Sequence, residues 1–190
     1  MAHDLSHLPA DLPVPVDDGA ADHLPGAAVP ALELPSTTGG TLRVDRPPVG
    51  ASRLVLYAYS RTVQPGAEPL HSDWDQIPGA RGCTRQACDF RDHAAELAEL
   101  GAAVAGVSTQ RTDYQAEVAA RVSLGFPLLS DVQLQLATAL RLPTFEVAGQ
   151  ILLRRLTLIV RDGRIERVWY PVFPPDRHAA QVLDWLRTVV

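Results

Sequence analysis

The sequence predicts an α/β domain with a mixed central sheet and helices on both faces. Two observations predict it. Apolar runs of strand length alternate with helical stretches through the middle of the chain, an order that calls for parallel crossovers. Towards the C-terminus two more apolar runs meet at Arg161-Asp162-Gly163, and Asp-Gly is a strong hairpin signal, so an antiparallel pair joins the same sheet. The chain has 190 residues, 46% of them hydrophobic and 21% charged, which is enough to bury a core without covalent staples.

The elements follow in order. Residues 1–31 carry Pro9, Pro13, Pro15, Pro25 and Pro30 with little periodicity. Proline fixes φ and removes backbone donors, so this stretch reads as an extended arm, and the domain proper is expected over 32–190. Leu32–Pro35 and Thr41–Val44 flank Thr38-Gly39-Gly40 as a hairpin. Arg53–Tyr59 is apolar, with branched and aromatic members, and reads as a buried strand. Ser60–Gly82 is rich in Pro, Gly and Asp and is expected to be irregular. Thr84–Leu100 has helix formers, apolar spacing at Ala87, Phe90, Ala94, Leu97 and Leu100, and Gly101 to close it. Ala102–Ser108 reads as a second buried strand, Asp113–Val122 as a helix, Phe126–Leu129 as a third strand and Val132–Leu140 as a helix. Leu152–Val160 and Arg164–Tyr170 form the late hairpin, and Asp176 is expected to cap a final helix ending near Val189. A thioredoxin-like layer fits this order. A doubly wound nucleotide fold fits less well, because no glycine-rich turn of the GxGxxG kind follows Tyr59.

Composition excludes several functions. No apolar run reaches the ~20 residues of a membrane span. No basic n-region and apolar h-region open the chain, so a cytoplasmic location is expected. A net charge of −5 argues against binding nucleic acid through bulk charge. All 17 basic residues are arginine, which rules out Schiff-base and Walker-type lysines.

Cys83 and Cys88 are the two cysteines of the chain. They are too few for a disulfide framework or a cysteine-only zinc site. A mixed zinc site from Cys83, Cys88, His71 and His93 matches no common spacing, and no metal or other cofactor is expected. Redox chemistry fits better. Cys83 falls where the irregular stretch enters a helix, beside Gly82, Arg81 and Arg85. Unpaired N–H groups and the positive end of the helix dipole favour thiolate there. Cys88 lies more than a turn further in, where that effect has faded. In a regular helix, residues five apart have Cα atoms roughly 8–9 Å apart. A disulfide needs ~4.4–6.8 Å, so a bond between these two requires local unwinding.

The segment Gly82-Cys83-Thr84-Arg85-Gln86-Ala87-Cys88-Asp89-Phe90-Arg91-Asp92 resembles the active site of the peroxiredoxins, in their bacterioferritin-comigratory (Q-type) branch. Val107-Ser108, Gly125–Asp131, Leu156–Gly163 and Val168–Tyr170 with His178–Leu183 resemble further family segments in the same order, over about Leu32 to Val190. The resemblance implies a thioredoxin-fold peroxidase acting on hydrogen peroxide and organic hydroperoxides, as a monomer or homodimer. Cys83 would be the peroxidatic cysteine and Cys88 the resolving one. A thioredoxin- or glutaredoxin-type partner would reduce the resulting disulfide. The family's late-strand arginine falls on Arg154 by counting back from Asp162-Gly163, with Arg155 one residue away as the alternative.

The departure lies upstream. The family's proline and threonine positions before the peroxidatic cysteine hold Gln76 and Ala80, and the family's glutamate position holds Gln86. Roughly Ala67–Gly82 reads as an insertion. For the hydroxyl that would meet peroxide, Thr62 is the first candidate and Ser60 the second, with Gly82 beside the cysteine completing the expected substrate contacts. Two rivals remain at this stage. One is a non-enzymatic redox sensor with the same cysteine pair. The other is a disulfide oxidoreductase, disfavoured because such enzymes place two residues, not four, between their cysteines.

Overall fold

The computed structural model describes residues 8, 9 and 11–189, so His3, His7 and the rest of 1–7 and 10 in the expected arm lie outside the described residues. The central sheet has five strands in the order β5-β4-β3-β8-β9. Strands β3 (Arg53–Ala58), β4 (Ala102–Ser108) and β5 (Leu128–Ser130) run parallel. β8 (Leu156–Arg161) joins β3 antiparallel, and β9 (Arg164–Trp169) pairs with β8 across a turn in which Asp162 and Gly163 have φ of 51° and 74°. The mixed sheet is therefore the one expected.

Both faces of the sheet are apolar, which is why its strands read as continuous hydrophobic runs. Leu54, Leu56 and Ala58 of β3 point the same way as Leu156, Leu158 and Val160 of β8. They pack under α4 (Gln135–Leu140), the β1–β2 hairpin (Glu33–Pro35 with Thr41–Arg43) and Ala21, Leu24 and Val29 of the arm. Val55, Tyr57 and Ile159 face the other way, onto α1 (Cys83–Asp92), α2 (Ala94–Glu99), α3 (Thr112–Arg121) and α5 (His178–Val189). Tyr57 stacks on Phe90 with ring centroids 4.6 Å apart and meets Phe126 edge-on at 6.0 Å, pinning α1 to the sheet. Such pairs contribute ~0.5–1.5 kcal/mol each beyond their buried area.

The arm has defined contacts. Ala28 bridges Arg164, Gly26 N–H donates to the Ile165 carbonyl at 2.8 Å, and Leu24 is fully buried. It covers the open edge of β9, a place where an unpaired strand invites association.

Four boundaries differ from expectation. The helix expected over Thr84–Leu100 breaks at His93, whose Nδ1 lies 2.8 Å from the Asp89 carbonyl, giving α1 and α2. The helix expected from Val132 begins at Gln135. Leu134 is left-handed at φ 56°, and the Asp131 carboxylate accepts the Leu136 and Ala137 N–H groups at 3.1 and 2.9 Å. The run Leu152–Val160 is two strands, since β7 (Gln150–Leu153) turns back on the unforeseen β6 (Thr144–Val147) through Ala148-Gly149. The carboxylate that meets the start of α5 is Asp89, not the expected Asp176. Asp89 Oδ2 accepts the Ala179 N–H at 2.7 Å, while Asp176 sits in a single 3-10 turn, Pro175–Arg177. No helix among the described residues is long and apolar enough to cross a membrane.

Candidate active site

Cys83 is the first residue of α1, at the C-terminal end of the parallel strands, and is 3% exposed. Gly82 precedes it with φ 104°, a left-handed turn that brings the chain into the helix. A Cβ at Gly82 would stand 2.5 Å from Pro175 Cγ, so the position needs glycine twice over. Gly82 thus has a structural place beside the cysteine, and its carbonyl accepts the Gln86 N–H at 2.9 Å.

Three elements converge on the sulfur. From the end of β3, Ser60 Oγ lies 3.3 Å from Cys83 Sγ and 2.9 Å from the Ala80 carbonyl. From the segment before α1, that Ala80 carbonyl lies 3.5 Å from Sγ. From the β7–β8 junction, Arg155 donates through one terminal nitrogen to Sγ at 3.3 Å and to the carbonyls of Gly79 and Arg81 at 3.2 and 3.1 Å. Its other terminal nitrogen donates in a short hydrogen bond to Oε1 of Gln86, one turn into α1. Gln86 is neutral, so the positive charge of Arg155 is left for the sulfur.

Burial is the largest single influence on the Cys83 thiol and pushes its pKa up. The Arg155 charge, the Ser60 hydroxyl and the Arg61 backbone N–H together pull harder, and the thiol lies below its ordinary value. Ser60 carries one hydroxyl hydrogen. Turned to Ala80 it leaves an oxygen lone pair for a thiol hydrogen, and turned to Sγ it stabilises a thiolate.

The other expected residues divide. Arg154 does not reach the cysteine. It lies over the Phe145 ring at 5.7 Å and donates to the Thr144 carbonyl at 3.2 Å, so the late-strand arginine at the site is Arg155. The correction has a simple cause. Both residues lie in the bend between β7 and β8, where strand alternation does not apply, and the bend turns Arg155 to the cysteine and Arg154 to Phe145 of β6. Thr62 is buried but committed to Gln110. Its N–H and hydroxyl both donate to Gln110 Oε1, at 2.9 and 3.0 Å, and no hydrogen bond joins it to Cys83 among the described residues. Cys88 is half-buried in the same helix as Cys83, and both thiols are free. His71 and His93 do not join the cysteines in a metal cluster; no group of three or more His, Cys, Asp or Glu among the described residues is placed to hold an ion.

The chain has relatives among known proteins. The AhpC/TSA family matches residues 77–168. A putative peroxiredoxin of Mycobacterium tuberculosis is 30% identical over 165 residues, covering 86% of this chain and 96% of its own. The chain belongs to the peroxiredoxin family. Peroxiredoxin Bcp of Bacillus subtilis is also 30% identical, over 85% of this chain and 94% of its own, which places this peroxiredoxin with the Bcp/PrxQ proteins. The crystal structure of peroxidoxin BcpB from Mycobacterium tuberculosis superposes with a TM-score of 0.70 at 30% identity, covering 88% of this chain and 99% of that one. Peroxiredoxin Q of Xanthomonas campestris shares the fold, with a TM-score of 0.66 at 23% identity over 87% of this chain and 96% of its own. The fold is thus the thioredoxin-like one, and the peroxiredoxin is a thiol-dependent peroxidase.

Proposed function

We propose that this peroxiredoxin reduces peroxides in the cytoplasm through Cys83, with Cys88 as resolving thiol and a thioredoxin- or glutaredoxin-type dithiol as reductant. The observation that carries this reading is the Arg155 guanidinium 3.3 Å from a buried sulfur that also has the Ser60 hydroxyl at 3.3 Å. The Cys83 thiolate attacks one peroxide oxygen. The O–O bond breaks, sulfur is oxidised to sulfenic acid, and the departing oxygen leaves as hydroxide or alkoxide and takes up a proton. Arg155 faces the negative charge as it shifts from sulfur to that oxygen, and Ser60 supplies a donor at the same place.

The Cys88 thiol then attacks the sulfenic sulfur, forming the disulfide and releasing water. The dithiol reductant exchanges with this disulfide, becomes oxidised itself and returns both cysteines to thiols. Because both cysteines lie in α1, the second step unwinds its first turns.

The test is mass spectrometry after one equivalent of hydrogen peroxide, followed by turnover with NADPH, thioredoxin reductase and thioredoxin. A mass loss of two hydrogens mapped to a Cys83–Cys88 link, with sustained NADPH oxidation, is the expected result. Formation of the link without turnover by thioredoxin or glutaredoxin would leave a redox sensor in place of a recycling peroxidase.

A further inference from the structure

The inserted segment before α1 folds against the site in a specific way. Its single 3-10 turn, Trp74–Gln76, buries Trp74 to 6% exposure. Trp74 packs with Ala80 and Leu152 in a small cluster of its own, separate from the two main cores, with Leu70, Ile77 and Phe145 at its margin. The Phe145 ring lies 6.5 Å away on β6, so the tryptophan is seated on the β6–β7 hairpin. Asp75, next to it, pairs with Arg81. Ala80 is fully buried between this cluster and the reactive sulfur, with its carbonyl on Cys83 and Ser60. On the outside, Pro15 of the arm lies 3.6 Å from where a Cβ of Gly79 would stand.

We propose that Trp74 is a gate: seated on the β6–β7 hairpin, it holds the inserted segment closed over Cys83 and restricts the site to hydrogen peroxide at the expense of bulky organic hydroperoxides. This rests on the peroxidase reading above. The sulfur already has Ser60, Arg155, Ala80 and the Arg61 N–H around it, and it is 3% exposed. A water-sized peroxide is admitted by small movements of such a shell. An alkyl group on the departing oxygen needs room that Ala80 fills, and Ala80 is backed by Trp74. Interiors are close-packed, so that room opens only when the tryptophan leaves its seat. Trp74 is thus a positioning residue that acts through Ala80.

The experiment measures the rate of Cys83 oxidation by hydrogen peroxide and by cumene hydroperoxide in the full chain. The intact protein is expected to favour hydrogen peroxide by about tenfold or more. In Trp74→Ala the cumene rate rises and the ratio falls to within a few-fold of one, and Trp74→Phe restores the preference. A second readout needs no peroxide: alkylation of Cys83 by iodoacetamide against a fluorescein maleimide, followed by peptide mass spectrometry. The bulky reagent should gain selectively in Trp74→Ala. Equal rates with both peroxides in the intact protein, or a ratio unchanged in Trp74→Ala, overturns the gate. If Trp74→Ala does not fold, Asp75→Asn, which loses the pair to Arg81, should shift both ratios in the same direction by a smaller factor. Unchanged ratios there overturn the gate too. Absence of any peroxide consumption, with alkylation still size-selective, would remove the peroxidase reading and leave the gate standing.

Discussion

Cys83 and Cys88 share one helix, yet their surroundings have little in common. Cys83 is buried, and its sulfur is met by a guanidinium, a hydroxyl and a carbonyl drawn from three separate elements. Cys88 is half-buried, with no side-chain hydrogen bond among the described residues. The contrast shows that the helix start is only part of what activates a thiol here. Burial alone pushes the Cys83 thiol up, and the Arg155 charge, the Ser60 hydroxyl and the Arg61 N–H together reverse the sign. The dipole, with about half a charge, assists a full charge at 3.3 Å.

The largest effect that tests this contrast comes from removing each sulfur in turn. Cys83→Ser should abolish peroxide consumption. Cys88→Ser should keep the first oxidation at full speed, stall recycling and leave a sulfenic acid that dimedone traps. Stopped-flow oxidation and trapping mass spectrometry read both. Should Cys88→Ser block the first step while Cys83→Ser retains it, the roles are reversed and the contrast is broken.

The next effect separates two adjacent arginines. Arg155→Met removes the charge-assisted contact to the sulfur, worth ~1.5–3 kcal/mol, and should slow peroxide reduction roughly ten- to a hundredfold. It should also raise the Cys83 pKa, visible as thiolate absorbance appearing at higher pH. Arg154→Met removes a half-buried side chain resting on Phe145, away from the sulfur, and should stay within about twofold of the unaltered rate. Equal losses in the two variants would mean that net positive charge, not position, governs the thiol.

These two arginines also mark where the sequence stopped being informative. The mixed sheet with its parallel crossovers, the late hairpin turned at Asp162-Gly163 and the placing of Cys83 at a helix start were legible from periodicity and turn chemistry. The choice between Arg154 and Arg155 was not. Alternation reveals which way a residue points only within a strand, and both arginines lie in the bend between β7 and β8. Counting from the hairpin therefore carried no parity. The β6–β7 hairpin hid for a related reason: its turn is Ala148-Gly149, without the Asn or Asp that signals such turns. The hydroxyl at the site was unreadable because Ser60 and Cys83 stand 23 positions apart in the chain and meet only in the fold. Thr62 lost its claim to Gln110, a long-range partner that no local pattern announces.

The smallest effect concerns what holds the Cys88 half of α1, which must let go when the disulfide forms. Arg155 secures the Cys83 end. Beyond Cys88, α1 is joined to α5 by Asp89, which accepts the Ala179 N–H, and by Phe90, whose ring meets His178 edge-on at 5.8 Å. His178 is fully buried, with its other edge contact on Trp169 at 5.7 Å. Burial lowers its pKa to about 4, with the Gln181 contact opposing and the Arg155 charge reinforcing. The folded state therefore keeps His178 neutral where the unfolded chain, at ~6.5, would protonate it. Between those values the unfolded state binds more protons, so stability falls as pH drops from about 6.5 towards 4. The full effect across that window is roughly 3 kcal/mol, with only a fraction of it present by pH 6. Thermal unfolding of the reduced protein across this range, compared with His178→Gln, isolates the contribution. The variant should show a shallower decline, whatever its stability at pH 8. Hydrogen exchange should place the acid-induced loosening at Phe90 and the start of α5, with the Cys83 end still protected. Parallel pH profiles for the two proteins would mean that His178 protonates as readily folded as unfolded, and the two halves of α1 would then be held alike.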